Sequence, residues 1–214
     1  MASTSLVYST KLPENIVKII EEDVKNNYAP STTFQDSAVG HYSDDPVRDK
    51  KIRSSSNIWI TDQHWMVGFI MHYVTMANRS NFLYDIDHID NGFIQYTSYK
   101  EGDHYTWHKD SSSPTYYKPV ASRSSHNVEA LTSDYINQNV EKVRKLSFSL
   151  QLSSHDEYEG GNLQLVNDLN ENFIAPRERG SLIIFDSRVN HRVTKVRSGE
   201  RKSIVGWVMG PRWR

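Results

Sequence analysis

His108-Lys109-Asp110 sets an imidazole and a carboxylate two residues apart, a spacing that turns both to one face if the segment is a strand. A distant histidine, His191, could complete a set of two imidazoles and one carboxylate. Such a set covers one face of an iron(II) ion and leaves positions for a chelating cosubstrate and for dioxygen. A His-x-Asp pair alone is weak evidence, and the chain contains a second, His88-Ile89-Asp90. That one lies among Asp85, Asp87 and Asn91, just before Gly92, and reads as a solvated, charged turn entering a strand. His108-Lys109-Asp110 instead closes a run holding Tyr99, Gly102, Tyr105 and Trp107, an aromatic hairpin able to wall a pocket.

Residues further along favour His108-Lys109-Asp110. The apolar run Gly180 to Phe185 leads through Asp186-Ser187-Arg188-Val189-Asn190 to His191. Ten positions later, Arg201-Lys202-Ser203 opens another strand. An arginine directed into a barrel interior needs an anion, because an unpaired buried charge is costly. The distal carboxylate of 2-oxoglutarate matches the planar fork of the Arg201 guanidinium, and the Ser203 hydroxyl can add a hydrogen bond.

Bulk composition narrows the remaining classes. The 214 residues suit one compact domain, 1–214, and 37% of them are hydrophobic against 24% charged. A net charge of -1 offers no bulk field for nucleic acid or an acidic membrane. Absence of cysteine excludes disulfides, thiolate zinc sites and a cysteine nucleophile. The polar start Met1-Ala2-Ser3-Thr4-Ser5 lacks a secretory apolar run, and Trp65–Met71 is too short to cross a bilayer. The expected setting is a soluble, cytoplasmic protein with neither membrane nor nucleic-acid partners.

Two helices and a series of strands would have to position the site. Pro13-Glu14-Asn15 opens a helix whose apolar face is Ile16, Val17, Ile20 and Val24, with Asn26-Asn27 as its stop. Residues 31–56 read as loop or irregular strand. Thr61 or Asp62 caps a second helix carrying Trp65, Phe69, Ile70, Tyr73 and Val74. Strands are expected over 93–96, 146–152, 162–166, 181–185, 191–196 and 203–209, separated by Gly102, Gly160-Gly161, Gly180 and Gly199. Residues 111–140 read as a polar surface excursion, with a helical turn over 135–143. The fold class is α+β and mainly β. It is a double-stranded β-helix, or jelly roll (91–214), with N-terminal helices and a substrate-loop region (1–90) packed on one sheet.

In this order the parts resemble the 2-oxoglutarate/iron(II)-dependent oxygenases, and within them the prolyl 4-hydroxylase-like, PKHD-type group. Tyr99-x-x-Gly102-x-x-Tyr105-x-x-His108-x-Asp110 is similar to that group's approach to the metal. Residues 146–152 followed by Gly160-Gly161-Asn162-Leu163 resemble its core strand and Gly-Gly turn. Arg201 with Trp207 six residues on resembles its last strand, and 51–60, containing Arg53, the close of its mobile substrate loop. The resemblance implies iron(II) on His108, Asp110 and His191, with 2-oxoglutarate on Arg201, Ser203 and Tyr99. It implies Trp207 behind the metal, and Arg53, Tyr105 and Trp107, with Tyr116-Tyr117, near substrate. One departure stands out: the core strand lacks the tyrosine that gives several members a second contact to 2-oxoglutarate.

The implied activity is hydroxylation of a peptidyl proline with 2-oxoglutarate and dioxygen, giving succinate and carbon dioxide, with ascorbate as reductant. A free amino acid or other small molecule is the alternative substrate, since residues 31–56 offer only His41-Tyr42 and Arg53 for peptide recognition. Nucleobase repair would call for a basic face. A non-catalytic jelly-roll binding protein would be expected to have lost one of the four key residues, and all four are present.

Overall fold

The computed structural model describes residues 5–28, 35–37, 49–61, 64–90, 93–111, 142–167 and 169–213. The first part of the chain forms β1 (Val7–Lys11), α1 (Glu14–Asp23), β2 (Gln35–Asp36), β3 (Arg53–Ser54), β4 (Ser56–Ile60) and α2 (Trp65–Ala77). Then come β5 (His88–Ile89), β6 (Ile94–Tyr99), β7 (His104–His108), β8 (Lys142–Gln151) and β9 (Tyr158–Gly160). The remaining strands are β10 (Leu163–Val166), β11 (Asn172–Ile174), β12 (Ser181–Asp186), β13 (His191–Val193), β14 (Val196–Gly199) and β15 (Arg201–Pro211).

Two antiparallel sheets carry the architecture. The larger runs β1-β12-β8-β15-β6-β4-β2, with β5 also paired to β15, and the smaller runs β11-β10-β13-β7-β3. β14 and β9 form a separate two-stranded sheet. The larger sheet is buried on both faces, and its sequence alternation separates the two. Leu146, Phe148 and Leu150 of β8 share a core with Ile204 and Val208 of β15, Val17 and Ile20 of α1, and Ile70 and Val74 of α2. Each such side chain contributes roughly 1.5–3 kcal/mol on burial. Gly206 is required here, because a Cβ would sit 2.5 Å from Cζ of Phe148. Ser147, Ser149 and Gln151 alternate with these apolar residues, pair with Trp207, Val205 and Ser203, and face the space between the sheets. The second cluster fills part of that space with Ile183 and Phe185 of β12 against Leu163, Leu165 and Val193 of the smaller sheet. The result is the jelly roll with helices on one sheet that the alternation implied.

Several local expectations are corrected. The α-helical part of α1 ends at Asp23 and continues as a π-type turn over Val24–Tyr28, past the Asn26-Asn27 stop. The cap of α2 is His64, whose ring accepts the Met66 N–H at 3.3 Å while its Nε2 is held 3.0 Å from Asp23. Asp62 lies outside the described residues, as do His41-Tyr42, Tyr116-Tyr117 and nearly all of 111–140. Lys142 and Val143 are not helical: pairing with Pro211 and Gly210 draws them into β8. The strand expected over 191–196 is two strands, β13 and β14, in different sheets. Gly160, at φ 76°, is tied to its turn, since a Cβ would collide with the Lys195 carbonyl. Among the described residues no helix is long and apolar enough to cross a membrane.

Candidate metal and 2-oxoglutarate site

Strands β7 and β13 lie side by side in the smaller sheet, with His108 opposite His191. Val193 pairs with Tyr105 rather than with the residue two before His108, so β7 carries one extra residue. This bulge lets Tyr105 and His108 share a face, and their rings stack at 3.6 Å and 20°. Asp110, just past β7, is held by a turn from the other side of the sandwich. The Ser187 carbonyl accepts the N–H groups of Asp110 and Ser111 at 3.0 and 2.9 Å.

His108, Asp110 and His191 offer ligand atoms that all lie within 4.8 Å of one another. Nε2 of His108 is 3.8 Å from one carboxylate oxygen of Asp110, and Nε2 of His191 is 3.4 Å from the other. Both rings are oriented from behind: Nδ1 of His108 lies 2.8 Å from the Thr106 carbonyl, and Nδ1 of His191 lies 3.0 Å from the Val189 carbonyl. A carbonyl can only accept, so each Nδ1 carries the proton and each Nε2 presents its lone pair to the shared centre. The Ser147 hydroxyl donates to Asp110 at 2.7 Å.

The electrostatics suit a cation. Burial, with His191 beside it, drives the His108 imidazole down to about 3 despite the facing carboxylate, so the ring is neutral at pH 7. Burial alone would raise the Asp110 carboxyl. His191, His108, Arg144 and the Ser147 hydrogen bond outweigh it and hold the group well below the usual carboxylate range. Two imidazoles that turn Nε2 to a shared centre and one carboxylate, each supported from behind, are a donor set that fits iron(II).

Arg201 opens β15 beside Tyr99 of β6 and is 2% exposed. Its guanidinium donates to the hydroxyls of Ser203 at 3.2 Å and Ser149 at 3.5 Å, and lies 5.6 Å from the Tyr99 ring. Among the described residues no carboxylate forms an ion pair with Arg201. Ser147 and Ser149 are neighbours on one face of β8, about 7 Å apart at strand rise. One touches Asp110 and the other Arg201, so β8 spans the interval from the triad to the guanidinium.

The other expected residues divide. Arg53 is buried rather than solvated, bonded to Ser55 and Gln95 at 3.0 and 2.9 Å, and its guanidinium lies 4.8 Å from the Tyr105 ring. Burial pushes the Tyr105 phenol up to about 12. Trp207 is 8% exposed and carries the Arg144 guanidinium 4.1 Å over its ring. Trp107 is covered by Arg192, whose guanidinium also holds Gln164; among the described residues, the non-histidine rings touching the triad are Tyr105 and Phe185.

The other His-x-Asp segment is not a solvated turn. His88 and Ile89 pair with Met209 and Val208 of β15, and Asp90 is 6% exposed. The reason is Arg144, whose guanidinium reaches the Asp90 carboxylate at 2.6 Å. Sequence reasoning missed Arg144, Trp59, Ser147, Ser149 and Ser187. Polar residues at every second position of an otherwise apolar strand were the available signal for the two serines on β8.

The sequence profile of the 2OG-Fe(II) oxygenase superfamily matches residues 94–209. A "PKHD-type hydroxylase" of Parvibaculum lavamentivorans is 44% identical over 63 residues, which are 29% of this chain and 28% of that relative, so the match covers well under a third of either protein. Among solved structures, a Pseudomonas putida prolyl-4-hydroxylase aligns with TM-score 0.66 and 16% identity, covering 98% of this chain and 95% of that one. A Trichoplax adhaerens prolyl hydroxylase, solved with a peptide fragment of the hypoxia inducible factor oxygen degradation domain, aligns with TM-score 0.64 and 17% identity, covering 96% and 84%. The overall fold is thus that of the prolyl hydroxylases, and the profile spans the strands that carry two of the three clustered side chains and the buried arginine. This chain belongs to the 2OG-Fe(II) oxygenase superfamily.

Proposed function

We propose that the chain is an iron(II)- and 2-oxoglutarate-dependent dioxygenase that hydroxylates a prolyl residue within a peptide. The observation that carries this reading is the pairing of the His108–Asp110–His191 cluster with Arg201, a buried cation that forms no ion pair with a carboxylate among the described residues. A metal site alone would fit many functions. A metal site one diacid length from an uncompensated guanidinium calls for a chelating dianion, and 2-oxoglutarate has that form.

In this reading Nε2 of His108, Nε2 of His191 and the Asp110 carboxylate hold the metal. Arg201 and Ser203 grip the distal carboxylate of 2-oxoglutarate, and the Tyr99 hydroxyl donates to the same molecule. Iron(II), with 2-oxoglutarate and dioxygen, supplies the oxidising power: one oxygen atom goes to the substrate, the other to succinate, and carbon dioxide leaves. The protein's part is to orient and to exclude water. Ascorbate serves as the reductant that keeps the metal ferrous.

The peptide substrate is supported by an aromatic cluster around Trp207, which lies across from Ser147, the residue that bonds Asp110. Trp59, 43% exposed, lies 6.4 Å from Trp207 and 6.3 Å from Phe93, with Arg144 over Trp207 and Arg53 over Tyr105. Flat aromatic faces bordered by guanidinium donors suit a proline ring flanked by peptide carbonyls. The test is incubation with iron(II), ascorbate, 2-oxoglutarate and proline-containing peptides, read by mass. Gain of one oxygen on proline, absent with His108→Ala, is expected. Turnover of 2-oxoglutarate with no peptide oxidised would move the substrate to a free amino acid or other small molecule.

A further inference from the structure

The turn between β12 and β13 holds two of the three clustered ligands from behind. Ser187 gives its carbonyl to the N–H groups of Asp110 and Ser111, and Val189 gives its carbonyl to Nδ1 of His191. The Ser187 hydroxyl lies 2.9 Å from that of Ser147, which donates to Asp110. A shift of this turn would move Asp110 and His191 together.

The turn is in turn fixed by an aromatic residue remote in sequence. Asp186, 1% exposed, accepts from the backbone N–H of Arg188 at 2.8 Å, from its guanidinium at 2.6 Å and from the Tyr84 hydroxyl at 2.7 Å. The Arg188 guanidinium lies 3.7 Å from the centre of the Trp213 ring, and Lys145 Nζ lies 3.6 Å from the same ring. Tyr84 meets that ring edge-on at 4.8 Å. Lys145 also gives its carbonyl to the Ser187 N–H at 3.1 Å. Trp213 therefore binds the two cationic side chains whose own backbones flank Ser187, one from β8 and one from the turn.

We infer that Trp213 is a positioning residue for the metal centre: by holding Arg188 and Lys145 it fixes the Asp186–Asn190 turn, and through it Asp110 and His191. The inference rests on the metal assignment proposed above. Groups that orient metal ligands typically change metal affinity 10- to 100-fold when removed. A merely structural tryptophan would lower the melting temperature and leave the affinity alone.

The probe is Mn(II), titrated into the metal-free protein well below its melting temperature. Trp213→Ala is expected to raise the Mn(II) dissociation constant about 10- to 100-fold. Trp213→Phe keeps a ring face for the cations and should recover most of the loss. Arg188→Gln, which removes the cation from both the Trp213 ring and the buried Asp186 carboxylate, should weaken Mn(II) binding in the same direction. Val17→Ala, in the helical layer, should lower the melting temperature and leave the dissociation constant unchanged. Unchanged Mn(II) affinity in both Trp213→Ala and Arg188→Gln would overturn the inference, as would an equal loss in Val17→Ala. If Trp213→Ala does not fold, Trp213→Leu, which keeps apolar bulk but removes the ring face that holds the cations, decides it by the same Mn(II) titration. Wild-type protein that binds no Mn(II) would instead overturn the metal assignment beneath it.

Discussion

Two His-x-Asp segments twenty residues apart meet opposite fates in the same sandwich. In both, the aspartate side chain is largely covered, 5% exposed in Asp90 and 7% in Asp110, and such a carboxylate needs compensation. Asp90 receives it from Arg144 at 2.6 Å, and the result is a closed ion pair. Asp110 faces two imidazole Nε2 atoms at 3.8 and 3.4 Å, one of them on a ring held neutral, and the result is an open donor set. The tripeptide pattern is shared, so it is the third residue and the source of positive charge that separate a structural pair from a candidate metal site.

The widest separation between the two segments should come from their histidines. His108→Ala is expected to lower 2-oxoglutarate turnover about a thousandfold or more, about 4 kcal/mol of barrier. His88→Ala should leave turnover within about twofold, because the charged groups acting on its ring are Lys142, Asp87 and Asp90 and not the clustered residues. Comparable losses in both variants, measured by succinate formation, would erase the distinction.

The aspartates should differ in stability. Asp90→Asn removes the carboxylate from a buried guanidinium and should cost about 3–5 kcal/mol in urea unfolding. Folded Asp90→Asn should still bind Mn(II). A loss under 1 kcal/mol would mean that water already reaches Arg144.

A smaller effect concerns acid. In the unfolded chain His108 takes up a proton near pH 6.5, whereas in the folded metal-free protein it does so only near 3. Acid therefore favours the unfolded chain between these values, by up to about 1.4 kcal/mol per pH unit from this residue. Asp110, held low, adds a loss in the same direction below its ordinary value. The metal-free stability of His108→Gln should fall less steeply from pH 6 to pH 4 than that of wild type. Parallel curves would show that His108 is not the buried neutral ring described.

Much of this was legible in the sequence because it follows from alternation. Strands β8, β12 and β15 were expected near their observed positions, since apolar side chains two apart must face one core. The meeting of His108, Asp110 and His191 and the burial of Arg201 were expected because few arrangements use a His-x-Asp, a late histidine and an arginine ten positions on. What escaped has physical reasons. Arg144 is charged and sits in a run of buried residues, so its partner Asp90 was read as solvated. The bulge in β7 depends on pairing with β13, which no local pattern encodes. Strands β2 and β3 are two residues each and exist only through neighbours across the sheets. The Ser187 carbonyl acts through its backbone, and side-chain type says nothing about it.

The most direct test of the central claim is the visible charge-transfer absorption formed when 2-oxoglutarate is added to iron(II)-loaded protein without oxygen. Wild-type protein should develop the band, and His108→Ala should not. Arg201→Met should require about 10- to 100-fold more 2-oxoglutarate, the roughly 1.5–3 kcal/mol of a charged hydrogen-bonded contact. Folded, iron-loaded wild-type protein with no band, or an Arg201→Met titration that overlays the wild type, would contradict the account.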